Sequence, residues 1–272
     1  MRIINSLVLA SCLVSFSQLH AEKSESEQEF NFDCKADREF ITTYEYLKRK
    51  KELGIKPEDM RKVALAVTSG CTGAAGSFIE ATELLLKAGL DGKTSIEQAR
   101  DLAVKGASFA KSFNAIFRGT FARELLDMDI GSSLRIARKL TTEFKGDPDI
   151  ASEDFATLAK FCVRTKGLDL PKPECAQMAA RIASFSEKSK LPVGRPFINA
   201  VEYLTQDKDI NLNMKDAVNL AESLVAVSPE AVATFQNAYE YAADKKGLEL
   251  ARADAINFAK SVATNTKQKK PM

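Results

Sequence analysis

The hydrophobic and polar positions of this chain recur with the period of an α-helix. In residues 217–225, small and apolar side chains stand three and four positions apart, which places them on one stripe of a helix. These side chains are Ala217, Leu220, Ala221, Leu224 and Val225. No alternation of period two is long enough to build a sheet. The pattern therefore predicts an all-α protein.

Comparison of the chain with itself shows one helical element six times. The clearest copies are FITTYEYLK at 40–48, FINAVEYLT at 197–205 and FQNAYEYAA at 235–243, which share Phe, Glu and Tyr at the first, sixth and seventh positions. Weaker copies begin at 79, 117 and 155. A second helical element begins twenty residues after each start, at 60, 99, 137, 175, 217 and 255. Together they predict two-helix repeats with a period near 38 residues.

Local signals predict where several helices begin and turn. Proline in a first turn, a serine followed three residues later by glutamine, or a serine followed directly by acidic residues is typical of a helix start. These signals predict starts at Pro57, Ser95, Ser152 and Pro173, and just after Pro196. Glycine is typical of the turn after a helix, and such turns are predicted at Gly54, Gly167 and Gly247.

Residues 36–265 resemble the α-solenoid helical-repeat class, in which tetratricopeptide-like and HEAT-like proteins are found. The resemblance concerns architecture alone, because the Trp-Leu-Gly signature of tetratricopeptide repeats is absent and the period is longer. It implies a right-handed or curved stack of about six hairpins, each burying its apolar face against its neighbours. The hairpins are expected near residues 36–76, 77–114, 115–152, 153–192, 195–230 and 231–265. The alternative is an irregular helical bundle.

The beginning of the chain predicts export. Residues 1–21 combine Arg2, an apolar stretch and a final Ala21, as in a cleaved secretory signal. A second interpretation is a lipoprotein signal, because LASC at 9–12 places Cys12 after small residues, and a lipid there would anchor the protein to a membrane. The signal and the absence of any Asn-x-Ser/Thr acceptor favour a bacterial periplasmic protein. Residues 22–35 are predicted to be a disordered acidic lead-in, and 266–272 a basic tail.

Composition excludes several chemistries. The single histidine, His20, lies in the predicted signal, so the mature chain has no imidazole for a nucleophile–base pair or a zinc site. A net charge of +2 provides no basic excess for nucleic acid. We therefore expect no enzymatic activity, no cofactor, no metal and no nucleic-acid partner.

The glycine-dense segment SGCTGAAGSF, residues 69–78, is predicted to contain a connecting loop. It lacks the strand and the GxxxxGK[ST] spacing of a phosphate-binding loop, and Cys71 has no histidine to activate it. Residues 69–76 are assigned to the loop between the first and second hairpins. Anion binding at the start of the following helix stays open as a hypothesis.

The repeat register predicts two disulfides in an exported chain. Cys34 and Cys71 stand at the same end of neighbouring first helices, and Cys162 and Cys175 flank the turn of one hairpin. We therefore expect Cys34 to pair with Cys71, and Cys162 with Cys175. The spacing does not fit a four-cysteine zinc site.

The remaining candidate residues recur with the repeat. Glu45, Glu202 and Glu240 are interpreted as structural, because acid–base catalysis needs two carboxylates in one pocket. The aligned tyrosines, Tyr46, Tyr203 and Tyr241, are expected to pack. A basic edge at the hairpin turns is a candidate partner-binding strip. It comprises Lys48, Arg49, Lys50, Lys51, Lys166, Lys245 and Lys246.

These features favour an exported scaffold or adaptor that binds a protein or peptide partner on its helical-repeat surface. A second hypothesis is binding of an anionic envelope glycan through the basic edge. A third, a hydrolase or lyase that uses carboxylates alone, requires a catalytic domain for which the repeats leave little room.

Overall fold

The computed structural model describes residues 35–123, 125–164, 168 and 170–265. By its internal contacts the chain divides into two units, Met1–Cys34 and Lys35–Met272. All described residues belong to the second unit. Several expectations lie outside the described residues and stay predictions. They are the signal peptide, lipidation at Cys12, the lead-in up to residue 34, Cys34, Lys166, Gly167 and the tail at 266–272.

The described part of the chain is all-α, as predicted, and it contains no strand. A 3-10 turn at Lys51–Leu53 and a one-turn helix at Ser186–Ser189 accompany the longer helices. The longer helices are α1 Ala36–Arg49, α2 Pro57–Thr68, α3 Ala74–Lys87, α4 Gly92–Lys105, α5 Ala107–Phe121, α6 Ile130–Lys139, α7 Pro148–Val163, α8 Lys172–Ala183, α9 Gly194–Gln206, α10 Met214–Val225, α11 Glu230–Ala243 and α12 Arg252–Asn265.

Each helical element identified in the sequence lies on a helix of its own. The stripe in residues 217–225 is buried on α10, as its spacing requires. Each of the six repeats begins its first helical element with a phenylalanine or an isoleucine. Four of these residues are almost fully buried, namely Phe117, Phe155, Phe197 and Phe235. The apolar core therefore follows the periodicity of the sequence.

Neighbouring helices pack pairwise in chain order. Each odd-numbered helix packs against the even-numbered helix that follows it, so we number hairpins 1 to 6 from α1–α2 to α11–α12. Each odd-numbered helix also packs against the next odd-numbered helix, from α1 through to α11. The odd-numbered helices thus form one continuous layer, on which the candidate sites described below depend.

Some helices begin earlier than their sequence signals indicated. The predicted start at Ser95 is wrong, because Asp91 accepts a hydrogen bond from the Thr94 N–H and α4 begins at Gly92. The predicted start at Ser152 is also wrong, since Asp147 caps α7 from just before it. An aspartate outside the apolar pattern can satisfy the free N–H groups of a first turn, so it sets the start. Pro57 does open α2, as predicted.

Candidate functional site

The glycine-dense segment contains a short loop that is followed directly by α3. Residues 69–73 form the loop, whereas residues 74–76 are helical, which corrects the predicted loop end. A Cβ atom on Gly70 would overlap the carbonyl oxygen of Ala103 on α4, so this position requires glycine. Gly73 has a φ of +86°, in the left-handed region that favours glycine. Close packing therefore accounts for Gly70, and turn geometry for Gly73.

A carboxylate from the preceding hairpin occupies the start of α3. Glu39 on α1 is buried and accepts hydrogen bonds from the Gly73 N–H at 3.0 Å and the Ala75 N–H at 2.6 Å. These N–H groups are the donors that a bound anion would use at a helix N-terminus. The hypothesis of external anion binding is therefore replaced by a contact within the chain.

The same device recurs between hairpins 4 and 5. Asp154 on α7 accepts hydrogen bonds from the Val193 N–H at 2.9 Å and the Gly194 N–H at 2.8 Å, at the start of α9. Burial raises the pKa of Asp154 above its ordinary value, and the two backbone donors oppose that rise. Sequence reasoning did not identify Glu39 or Asp154, although each stands directly before a phenylalanine that begins a repeat element.

The cysteines of the described residues are oxidised. Cys162 and Cys175 form a disulfide with a Cα–Cα distance of 5.7 Å, as predicted from their places across one turn. Cys71 is also disulfide-bonded. Cys34, its predicted partner, lies outside the described residues, so that pairing stays a prediction. The disulfide of hairpin 4 is compatible with an oxidising extracellular compartment.

The recurring tyrosines have different surroundings. Tyr46 is buried and donates a hydrogen bond to Glu83 at 2.9 Å, whereas Tyr203 is half-buried. Tyr241 is 58% exposed, so the expectation that it packs is wrong. Helix α3 packs against Tyr46, and Glu240 on α11 lies near Tyr203. No helix of the described residues lies beyond hairpin 6. The recurring glutamates are exposed or half-exposed.

One residue of the basic edge, Lys50, forms ion pairs within the fold. The Lys50 ammonium lies 2.7 Å from the Glu83 carboxylate and 3.4 Å from that of Glu52. The hydrogen bond to Glu83 is the main cause that raises the pKa of Lys50, and the same bond lowers the pKa of Glu83. Lys50, Glu83 and Tyr46 thus form one network that joins hairpins 1 and 2.

The other described residues of the basic edge are exposed. Lys48 lies 3.8 Å from Glu45, and the Arg49 side chain donates to the Glu45 carbonyl. Lys51, Lys245 and Lys246 have no ion pair with any described residue. The clusters at 48–51 and 245–246 belong to the first and the last hairpin, so four hairpins lie between them in chain order.

A solvent-open groove of about 600 Å³ crosses the surface of the odd-numbered layer. It combines residues of three successive hairpins: the turn of hairpin 1, helix α3 and helix α5. Carboxylates and cations surround two leucines in it, and Arg118 lies 3.1 Å from Glu80. We call it the charged groove; it is lined by Glu52, Glu80, Glu83, Leu84, Leu86, Lys87 and Arg118.

A second, more apolar depression of about 400 Å³ lies on hairpin 6. Its most exposed large side chains are Tyr241, at 58%, and Phe258, at 36%. We call it the terminal face; it is lined by Thr234, Asn237, Ala238, Tyr241, Phe258 and Val262.

Comparisons with known proteins give no relative. No protein family, curated protein or solved structure matches the chain. Within the described ranges there is no group of three or more Cys, His, Asp or Glu side chains placed to hold a metal ion. No helix among those residues is long and apolar enough to cross a membrane. The two surfaces and the network between hairpins are therefore the features of the fold that bear on function.

Proposed function

We propose that the chain is an exported, non-enzymatic adaptor, in the bacterial periplasm, that binds a protein partner on an α-solenoid surface. In this proposal, six two-helix repeats with a period near 38 residues stack in order. Polar contacts across 34 to 41 residues of sequence support a stack of this period, including those of Glu39, Asp154 and Arg181.

The charged groove is the observation that carries the proposal. A site built from three successive hairpins is typical of helical-repeat proteins, which bind extended surfaces along the stack. The groove holds apolar side chains, Leu84 and Leu86, between groups of both charges. It therefore fits a protein segment that offers an apolar anchor flanked by a carboxylate and an amine or guanidinium.

Groups of both charges in the groove favour specificity over bulk attraction. Glu80 and Arg118 are exposed, at 57% and 59% of their side chains, so both charges are accessible to a partner that exchanges the ion pair. Glu83 is already held by Lys50 and Tyr46, which fixes one wall of the groove. A partner with complementary charges would dock in one register only.

The test uses a photo-crosslinking amino acid at position 80 of the exported protein in its own cells, followed by mass spectrometry. We expect one saturable protein crosslink from position 80 and none from position 135, an exposed site on α6. Arg118→Glu should weaken capture at least about tenfold, because it places like charges side by side in the groove. Equal capture by Arg118→Glu and by the matched control Arg135→Glu would contradict the proposal.

A second candidate function, binding of an anionic envelope glycan, is favoured by one observation. Lys51, Lys245 and Lys246 are exposed and have no ion pair within the described part of the chain. This hypothesis predicts salt-sensitive sedimentation with purified cell wall, abolished when Lys48, Arg49 and Lys51 are changed to glutamate. Lys50 is left unchanged because its ion pair with Glu83 joins two hairpins. Sedimentation that survives both the variant and high salt would exclude it.

A further inference from the structure

The terminal face carries an inference that is independent of the adaptor's partner. It uses the repeat register proposed above, and concerns what covers hairpin 6. Tyr241 occupies the seventh position of its repeat element, as Tyr46 and Tyr203 do in theirs. Tyr241 and Phe258 leave an apolar depression open to solvent.

Tyr46 shows which groups pack against a tyrosine at the seventh position of a repeat element. Tyr46 packs edge-on against Phe78 of the next odd-numbered helix, with ring centroids 6.1 Å apart. Its hydroxyl donates to Glu83 on that same helix at 2.9 Å, 37 residues further along. Glu240 stands at the same distance of 37 residues after Tyr203, and its charge raises the pKa of Tyr203, second only to burial. We therefore expect the first helix of another hairpin to pack against a tyrosine at this position.

Hairpin 1 carries the matching residues on its outer side. The contacts of Tyr46 align the second repeat element from Phe78, one residue before the start at 79 that the sequence indicated. In this register Phe40 and Glu45, which stand 38 residues before Phe78 and Glu83, hold the same places in the first repeat. Beside them, Ile41 is 59% exposed, whereas Ile79, 38 residues later, packs against the core. Hairpin 1 thus leaves Ile41 open to solvent, and Phe40 half-buried beside it, at the place where hairpin 2 packs Ile79 against the core.

We infer that the terminal face binds hairpin 1 of a second copy of this chain, so that chains join head to tail. In the joined pair Tyr241 contacts Phe40 and donates to Glu45 of the second copy. The contact continues the packing between hairpins, and it is heterologous, because two different surfaces meet. A heterologous contact of this kind extends into chains unless the rotation closes a ring.

Two other occupants fit less well. The residues that follow α12 in the sequence, 266–272, are TKQKKPM, a polar and basic segment without an aromatic side chain to fill the depression. Pairing of two terminal faces with each other would oppose Tyr241 with Tyr241, without the carboxylate that accepts from Tyr46. That pairing would stop at a dimer, so experiment separates it from the head-to-tail contact.

The test is sedimentation velocity of the purified exported protein from micromolar to near-millimolar concentration. Tyr241→Lys blocks one surface and Ile41→Lys the other, and the high exposure of both side chains predicts unchanged folding, checked by circular dichroism. We expect the unmodified protein to grow beyond a dimer with concentration and each variant alone to stay monomeric. An equimolar mixture of the two variants should form a 1:1 dimer, because each retains the surface that the other lacks.

The controls make every outcome informative. Leu191→Lys replaces an exposed leucine, 45% accessible, between hairpins 4 and 5, and it should assemble like the unmodified protein. A monomeric unmodified protein at every concentration overturns the inference. Dimers of Ile41→Lys alone, with no dimer in the mixture that contains both variants, overturn it in favour of pairing between terminal faces. Crosslinking at position 80 is read separately, so failure of self-association leaves the adaptor proposal standing.

Discussion

Tyr46 on α1 and Glu83 on α3 are joined by a hydrogen bond of 2.9 Å across 37 residues of sequence. Lys50 binds the same carboxylate oxygen at 2.7 Å, so one glutamate receives a phenol and an ammonium from the preceding hairpin. Burial is the main cause that raises the pKa of Tyr46, followed by its bond to Glu83. The contact shows how side chains, as well as apolar packing, determine the spacing of two hairpins.

The network makes stability depend on pH in a defined direction. The hydrogen bond from Lys50 lowers the pKa of Glu83 below its ordinary 4.5. The charged carboxylate therefore contributes stability above pH 4.5, and that contribution is lost as the pH falls through the lowered value. Because the side chain is 43% exposed, we expect less than about 1 kcal/mol.

Urea unfolding of the unmodified protein and of Glu83→Gln measures this effect. The glutamine keeps an acceptor for Tyr46 and removes the charge, so the difference between the two proteins isolates the ion pair. It should be present at pH 7 and shrink as the pH falls below 4.5. Glu97→Gln, at an exposed position on α4, is the matched control. A difference that stays constant with pH would contradict the expectation.

A second prediction concerns the buried carboxylate of Asp154. Both of its oxygens accept backbone N–H groups of α9, and an asparagine offers one acceptor while it places an NH₂ group against the other donor. Asp154→Asn should lower the free energy of unfolding by about 1–3 kcal/mol, because a buried N–H loses its partner. Glu153→Gln, at the exposed neighbouring position, should change it by less than about 0.5 kcal/mol. Comparable losses in the two variants would exclude a capping role.

The sequence predicted the helices because the apolar positions of each element recur along one face, as on α10. It did not predict Glu39 and Asp154 as links between hairpins, since a carboxylate before a phenylalanine looks locally like any exposed helix residue. The backbone partners of these carboxylates, such as Gly73 and Gly194, stand 34 to 40 residues away in the sequence, and only the fold brings them into contact. Tyr241 illustrates the same limit: its repeat position predicts packing, while its exposure depends on whether a further helix follows.

The disulfide of hairpin 4 gives a third prediction. Cys162 and Cys175 stand 13 residues apart, and a cross-link that closes so short a loop stabilises a protein by about 3 kcal/mol in the chain-entropy description. Cys162→Ala, Cys175→Ala and the double variant each remove the same cross-link. Urea unfolding should therefore give similar losses for all three, because the cross-link outweighs the small cavity at either position. Losses that add in the double variant would show that cavities dominate instead.

Two glycines of the same short segment are predicted to respond in opposite directions. Gly76 lies within α3, and a Cβ atom there would meet no atom within 4 Å. Gly76→Ala should stabilise the protein by about 0.5–1 kcal/mol, since alanine loses less conformational entropy in a helix.

Gly70→Ala, six positions earlier, forces a methyl group into the carbonyl of Ala103 on α4, and relief requires a backbone shift between hairpins 1 and 2. We expect a loss of about 1–3 kcal/mol, as for other overpacked sites. Thermal unfolding of the pair distinguishes the two roles within one experiment, because both variants add the same methyl group to the same segment. If Gly70→Ala proved neutral, the loop would have to move freely against α4, and close packing would no longer explain the glycine at position 70.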